Sequence, residues 1–196
     1  MGARDEATAL TAFPIATMES IVLRTPRLLL RSTTVELAAA DLNDPAEFSR
    51  LLAADVPEDW PPPLNDNNSK KFTLNYLAEN PDAVGWAAWY FLLHRTGGAR
   101  PRTIGIGGFR GKPTGEGGVE VGYSILPGYQ GQGLASEAVS GLVDWAFTHS
   151  EVKLVTAQTL PQLRGSIRVL ERNGFRYLGE GSEAGIVCYG RQREGL

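Results

Sequence analysis

Residues Gly128-Tyr129-Gln130-Gly131-Gln132-Gly133 lie between an extended segment, Val119 to Leu126, and a helix that begins near Leu134, and this junction limits what the chain can become. Gly128, Gly131 and Gly133 carry no Cβ, so the backbone can take positive φ there and turn a row of N–H groups in one direction. Amides at a helix N-terminus have no intrahelical acceptor, and the macrodipole adds partial positive charge, so such a turn suits a diphosphate. A dinucleotide fingerprint does not fit, because its third glycine position holds Ser136 and the next strand ends on Gln158 and Thr159, not on a ribose-binding carboxylate. A Walker loop fails because no Gly-Lys-Ser/Thr follows. A strand-to-helix turn can also be glycine-rich for geometric reasons alone, so the rest of the chain must decide.

The helix after this turn is predicted over Leu134 to His149. Positions 134, 138, 142, 146 and 135, 139, 143, 147 are all apolar, a double stripe wide enough to pack on a sheet. A first strand reads from Ile21 to Arg31. Asp44-Pro45-Ala46-Glu47 supplies a cap, a proline at the first helical position and an acid for the next helix. Asp55 to Asn68 is a proline-rich loop, and a second helix runs from Ser69 to Glu79 with Phe72, Tyr76 and Leu77 at helical spacing. Trp86 to Arg95 and Thr103 to Arg110 read as a hairpin, followed by the strand Val119 to Ile125. After the long helix come a strand at Lys153 to Thr159, a helix at Ser166 to Asn173 and two strands at Phe175 to Glu180 and Ile186 to Arg191. The expected order is β α α β β β α β α β β: an α/β (α+β) chain with a mixed, mostly antiparallel sheet and helices on both faces.

With 196 residues, of which 42% are apolar, the chain can bury one sizeable core, and residues 18–196 read as a single domain. Residues 1–17 read as a mobile extension or an upstream start, since Asp5, Glu6, Thr11 and Pro14 break any signal or membrane span. A net charge of -3 argues against nucleic acid and anionic membrane as partners. One cysteine, Cys188, and two histidines, His94 and His149, leave no metal site to expect.

The spacing Gln130-x-x-Gly133-x-Ala135 resembles the acyl-CoA pyrophosphate signature of the GNAT N-acetyltransferases, Gln/Arg-x-x-Gly-x-Gly/Ala. Two longer segments, Val119 to Ala138 and Ser166 to Phe175, are similar to the subgroup that includes ribosomal-protein N-terminal acetyltransferases. This resemblance covers essentially Met18 to Arg191. It implies the GNAT fold, with the sheet splayed between the fourth and fifth predicted strands and acetyl-CoA as cosubstrate in the resulting cleft. A parted strand leaves unpaired main-chain groups that the pantetheine amides can satisfy. Pantetheine contacts are therefore expected from the main chain of Ile125 and Leu126, and diphosphate contacts from Gln130, Gly131, Gln132, Gly133, Leu134 and Ala135.

The resemblance further implies Glu120 as the base that relays a proton from the amine, and Ser166 as the group near the thiol. Residue by residue, each has a plainer alternative: a strand carboxylate satisfied by arginine, and a helix cap. The tyrosine acid of many family members falls at Leu170, and the subgroup's cofactor-contacting asparagine falls at Leu163. Arg164 and Arg168 could reach phosphate instead. The acceptor, a protein N-terminus or a small amine, is expected beneath Asp55, Glu58, Asp59 and Trp60, three acids and an indole suited to a cation. Trp86, Trp89 and Tyr90 are alternatives for the same pocket or for the core. The resemblance implies a cytoplasmic monomer or homodimer; a catalytically silent acyl-CoA-binding domain is the alternative function.

Overall fold

The computed structural model describes residues 19–195; residues 1–18 and 196, with the extension expected over 1–17, lie outside the described residues. The strands are β1 (Val22–Arg24), β2 (Leu28–Ser32), β3 (Ala88–Leu93), β4 (Arg102–Phe109), β5 (Gly118–Ile125), β6 (Leu154–Thr159), β7 (Arg176–Glu180) and β8 (Val187–Gln192). They form one sheet in the order β1-β2-β3-β4-β5-β6-β8-β7. Every neighbouring pair is antiparallel except β5 and β6, which run parallel and are in register only at Gly118↔Leu154, Val119↔Val155 and Glu120↔Thr156. Beyond Glu120 the two strands part. The helices are α1 (Val35–Asn43), α2 (Pro45–Leu52), α3 (Asn67–Glu79), α4 (Leu134–Phe147) and α5 (Arg164–Arg172). No helix among the described residues is long and apolar enough to cross a membrane.

Each face of the sheet carries its own core. On one, Leu134, Ala138, Val139, Leu142, Val143 and Ala146 of α4 bury the predicted stripe against Leu30, Trp89, Phe91, Val119, Val121 and Ile125. Full burial of each large aliphatic side chain stabilises by roughly 1.5–3 kcal/mol, so this face supplies most of the adhesion between α4 and the sheet. On the other face Leu37, Ala40, Phe48 and Leu52 of α1 and α2 pack on Tyr90 and Leu92. Strand alternation explains the division: Trp89 and Phe91 point one way, Tyr90 and Leu92 the other.

Three expectations need correction. The first strand is a hairpin, because Thr25 Oγ1 accepts from the Leu28 amide at 3.0 Å and Pro26 offers no N–H to a continuing ladder. Helix α1 was not expected; Thr34 caps it by accepting from the Leu37 amide at 3.3 Å, and its alanines give no wide apolar stripe to read. In α3 only Leu77 of the expected apolar positions is buried, while Phe72 is 68% exposed and stacks on Tyr76. Trp86, Trp89 and Tyr90 are core residues, and none of them lines the cleft at the end of β5.

A buried polar node joins α1 and α3. Lys70 Nζ lies 2.7 Å from Asp41 Oδ1 and donates to Asp41 O at 2.9 Å, the Trp60 indole donates to Oδ1 at 2.8 Å, and the Tyr90 hydroxyl donates to Oδ2 at 3.2 Å. The two ionic side chains are 7% and 3% exposed. Burial, reinforced by the Asp41 charge, holds the Tyr90 phenol well above its ordinary range, so it remains a donor. Removing one partner leaves an uncompensated buried charge, which typically costs about 3–5 kcal/mol. Lys70→Met is therefore expected to lower unfolding free energy by roughly that amount in denaturant titrations. A loss below about 1 kcal/mol, the scale of surface ion pairs in general, would show that the node does not hold the two helices together.

Candidate active site

Where β5 and β6 part, a cleft of about 1110 Å³ opens, bounded by the end of β5, the loop before α4, the end of β6 and the length of α5. Its floor follows from the ladder. The Arg110 amide donates to Glu120 O at 3.0 Å and the Leu126 amide to Ile104 O at 2.9 Å, so even-numbered residues of β5 direct their main-chain groups toward β4. By alternation Tyr123 and Ile125 direct theirs into the cleft. This corrects the expectation for Leu126: it is fully buried, its amide is engaged by Ile104 and its carbonyl accepts from Tyr129 at 2.9 Å. Ile125 lines the cleft, and its carbonyl accepts from the Gln130 side chain at 2.9 Å.

The loop before α4 is shaped as its glycines require. Gly131 and Gly133 have φ of 73° and 77°, and Gly133 stands at the N-cap with no side-chain cap on the helix. Among the described residues no acceptor is found for the amides of Gly131, Gln132, Gly133, Leu134, Ala135 and Ser136, whereas the Glu137 amide closes the first helical bond onto Gly133 O at 3.1 Å. Six consecutive free donors at a helix N-terminus form a cradle for an anion. The side chains of Gln130 and Gln132 fold back onto Ile125 O and Gly128 O, so the main chain faces the cleft here.

The cradle is braced from the first hairpin. Arg27 donates to Gln132 O at 2.9 Å and to Glu137 Oε2 at 2.6 Å, while Glu137 Oε1 accepts from the Arg27 amide at 2.7 Å and Thr25 Oγ1 at 2.6 Å. Burial works to raise the Glu137 carboxyl, but donation from Thr25 and from the backbone and guanidinium of Arg27 outweighs it and holds the group below its usual value.

Further along the cleft, the Tyr123 hydroxyl lies 3.1 Å from both Ser166 Oγ and Ser166 O. Ser166 is not a cap: the residue before α5 is Leu163, and no side chain caps that helix. Burial pushes the Tyr123 phenol up to about 12, against the opposing effect of its Ser166 hydrogen bond, so it keeps its proton at neutral pH. Sequence reading passed over this tyrosine because it sought a phenol on the helix, at Leu170, instead of on the strand facing it. Leu170 is fully buried in the core and Leu163 is half exposed on the cleft wall.

Glu120 lies on the opposite face of β5 from Tyr123, set behind the cleft wall. Its carboxylate meets Arg110 Nε at 3.0 Å and accepts from Gln158 Nε2 at 2.7 Å. Gln158 Oε1 in turn accepts from the Ser182 amide at 2.7 Å. Arg110, Gln158 and Ser182 themselves line the cleft, none of them anticipated, although Gln158 shares the face of Thr156, the partner of Glu120. Cys188 pairs with Gln158 across the sheet, and burial together with the Glu120 charge pushes its thiol up.

The expected acceptor residues are elsewhere. Asp55 is tied to Arg95 at 2.8 Å, and its main chain bridges to Pro101 and Thr103. Trp60 is bound to Asp41 in the core, and Glu58 and Asp59 are exposed away from the cleft wall. From this loop it is Pro63 and Leu64 that reach the cleft; Leu64 is 89% exposed at a φ of 68°. Prolines and acids signal a loop but not which of its ends faces a cavity. Among the described residues no group of three or more histidine, cysteine or acidic side chains is placed to hold a metal ion.

Comparison with known proteins agrees with this geometry. Residues 27–176 match the family described as the acetyltransferase (GNAT) domain. An uncharacterized N-acetyltransferase of Bacillus subtilis (strain 168), YjdG, is 25% identical over 160 residues, covering 79% of this chain and 89% of its own length. Among solved structures, a ribosomal-protein-S5-alanine acetyltransferase from Vibrio fischeri superposes with a TM-score of 0.60 at 20% identity, covering 89% of this chain and 98% of that one. RimL, a ribosomal L7/L12 alpha-N-protein acetyltransferase solved in complex with coenzyme A, does so with a TM-score of 0.60 at 18% identity, covering 90% of this chain and all of that one, 100%. The chain belongs to the GNAT family of acetyltransferases.

Proposed function

We propose that the chain transfers the acetyl group of acetyl-CoA to a primary amine by direct attack in a ternary complex, with a peptide N-terminus as the preferred acceptor. The observation that carries this is the row of free amides from Gly131 to Ser136, opening into the cleft that the parting of β5 and β6 creates. The diphosphate of acetyl-CoA binds those donors, and the pantetheine arm follows the open edge of β5 at Tyr123 and Ile125. On that path the thioester lies near Ser166.

In the reaction the amine nitrogen bonds to the thioester carbon, the C–S bond breaks, and the proton lost by the nitrogen is taken up by a base or water while the thiolate is protonated. Tyr123 and Ser166 stand on the cofactor face as neutral hydroxyls: Tyr123 holds Ser166, which can then donate to the developing thiolate. Glu120, Gln158 and Arg110 stand on the other face, where the amine enters. Both Glu120 oxygens already have partners, so the group acts through water and not as a bare base. An α-amine requires little more. At pH 7.5 an amine of pKa ~7.8 is about one-third neutral, whereas one of pKa ~10.4 is roughly 0.1% neutral, a difference of a few hundredfold. That two structural neighbours act on ribosomal proteins supports the same reading.

The experiment is thiol release from acetyl-CoA, followed across N-terminal peptides, lysine-like amines and small diamines. Turnover fastest with a peptide α-amine is expected. CoA binding without turnover on any amine would instead favour a silent acyl-CoA-binding domain.

Ser166→Ala is expected to lower kcat about tenfold while leaving the Kd for CoA nearly unchanged, a loss on the order of 1.4 kcal/mol in transition-state stabilisation. Tyr123→Phe should behave alike, and the double variant should lose little more, since the two hydroxyls act as one unit. Independent, multiplying losses in a double-mutant cycle would separate their roles.

Glu120→Gln is expected to lower kcat/KM by roughly 10²-fold, with a smaller loss for an α-amine than for a lysine-like amine. Unaltered kinetics in a folded variant would leave Glu120 as a brace between β5 and β6.

A further inference from the structure

Among the described residues the cleft is lined by Arg110, Arg164, Arg168 and Arg172 against a single carboxylate, Glu183, in a chain of net charge -3. Such a wall attracts anions and repels cations. The acids expected to draw a cationic acceptor, Asp55, Glu58 and Asp59, do not line it. Three of the arginines belong to α5 and stand with Ser166 on the cofactor face. Arg110 does not. It follows the end of β4 and lies beside Glu120, on the face where the amine enters.

The guanidinium of Arg110 has room for a second carboxylate. Its Nε meets Glu120 at 3.0 Å, the side chain is 77% exposed, and among the described residues its terminal nitrogens Nη1 and Nη2 have no partner. Glu120 cannot turn to cover them, because its other oxygen accepts from Gln158 at 2.7 Å. The next cation along the chain, Lys112, is already paired with Asp82 and lies outside the cleft. A free planar fork of N–H groups matches the two oxygens of a carboxylate, a bidentate geometry that an ammonium lacks.

The spacing selects the source of that carboxylate. The amine is relayed through water to Glu120, and Arg110 stands beyond it. The α-carboxylate of a free amino acid is bonded to the carbon that bears the amine, too near to span this distance. An extended peptide advances roughly 3.3 Å per residue, so a side chain one residue further on has the reach.

We infer that Arg110 binds a carboxylate of the acceptor, supplied by an acidic side chain at the second residue of the peptide whose N-terminus is acetylated; the inference rests on the acetyl-transfer reading above. Because Arg110 is exposed, the preference is electrostatic and falls as salt rises.

The test is steady-state acetylation by the full chain of peptides that begin Ala-Glu or Ala-Gln and are otherwise identical, with free glutamate and a small diamine alongside. In the wild type at low salt the acidic peptide is expected to have a kcat/KM about tenfold higher, mostly through KM, with the diamine poorest. Arg110→Gln should bring the ratio of the two peptides toward one, and Arg110→Lys should retain part of it. A loss that comes only from freeing Glu120 lowers both peptides alike and cancels in the ratio. Equal use of the two peptides by the wild type, a ratio untouched in Arg110→Gln, or free glutamate preferred over the acidic peptide overturns this inference. Absence of turnover with every amine overturns the acetyl-transfer reading itself.

Discussion

Three residue pairs of parallel ladder, from Gly118 to Glu120 against Leu154 to Thr156, hold the two halves of the sheet together, and their end is the condition for everything else. Past Glu120 the main-chain groups of Tyr123 and Ile125 point away from β4, to the side where β6 no longer runs beside them. Unsatisfied main-chain groups are tolerated only where something can satisfy them. The same divergence lets one strand present chemistry to both sides, with Tyr123 directed toward α5 and Glu120 toward the face of Gln158 and Arg110. A continuous sheet would separate these groups by a closed layer of backbone.

Around that opening the two faces are built differently. The α4 face is apolar and tightly filled, which fixes the cradle that begins the helix. The α1 face contains the Asp41 node, where a lysine, an indole and a phenol converge on one carboxylate. Polar geometry is directional, so Trp60 is held at a set position, and the chain continues from it through the prolines to the cleft at Pro63 and Leu64. The residue expected to touch the acceptor instead anchors the segment whose far end lines the cleft.

How much of this was legible from sequence depended on the range of the forces involved. Helix α4 and the cradle were readable because a period of apolar residues and the backbone freedom of Gly131 and Gly133 are local properties. So was the cap at Asp44, which accepts from the amides of Ala46 and Glu47. Helix α1 was missed because its alanines bury little and leave a weak stripe, and the Thr25 turn because a single hydroxyl and a proline interrupt an otherwise apolar run. The Tyr123–Ser166 pair, 43 residues apart, and the Glu120–Gln158 pair, 38 apart, are products of tertiary registration that no local pattern encodes. Family likeness supplied Glu120 and Ser166 as positions; it did not supply their partners.

The Arg27 and Thr25 contacts to Gln132 and Glu137 join residues more than 100 apart in sequence, and so tie the first hairpin to the start of α4. A segment fastened in this way does not open alone. Separating β1 and β2 from the rest would free Glu137 and loosen the cradle, so the two form one cooperative unit for local unfolding. A ligand that occupies the cradle would accordingly slow hydrogen exchange at the amides of Leu28 to Ser32, a strand with no position in the cleft wall.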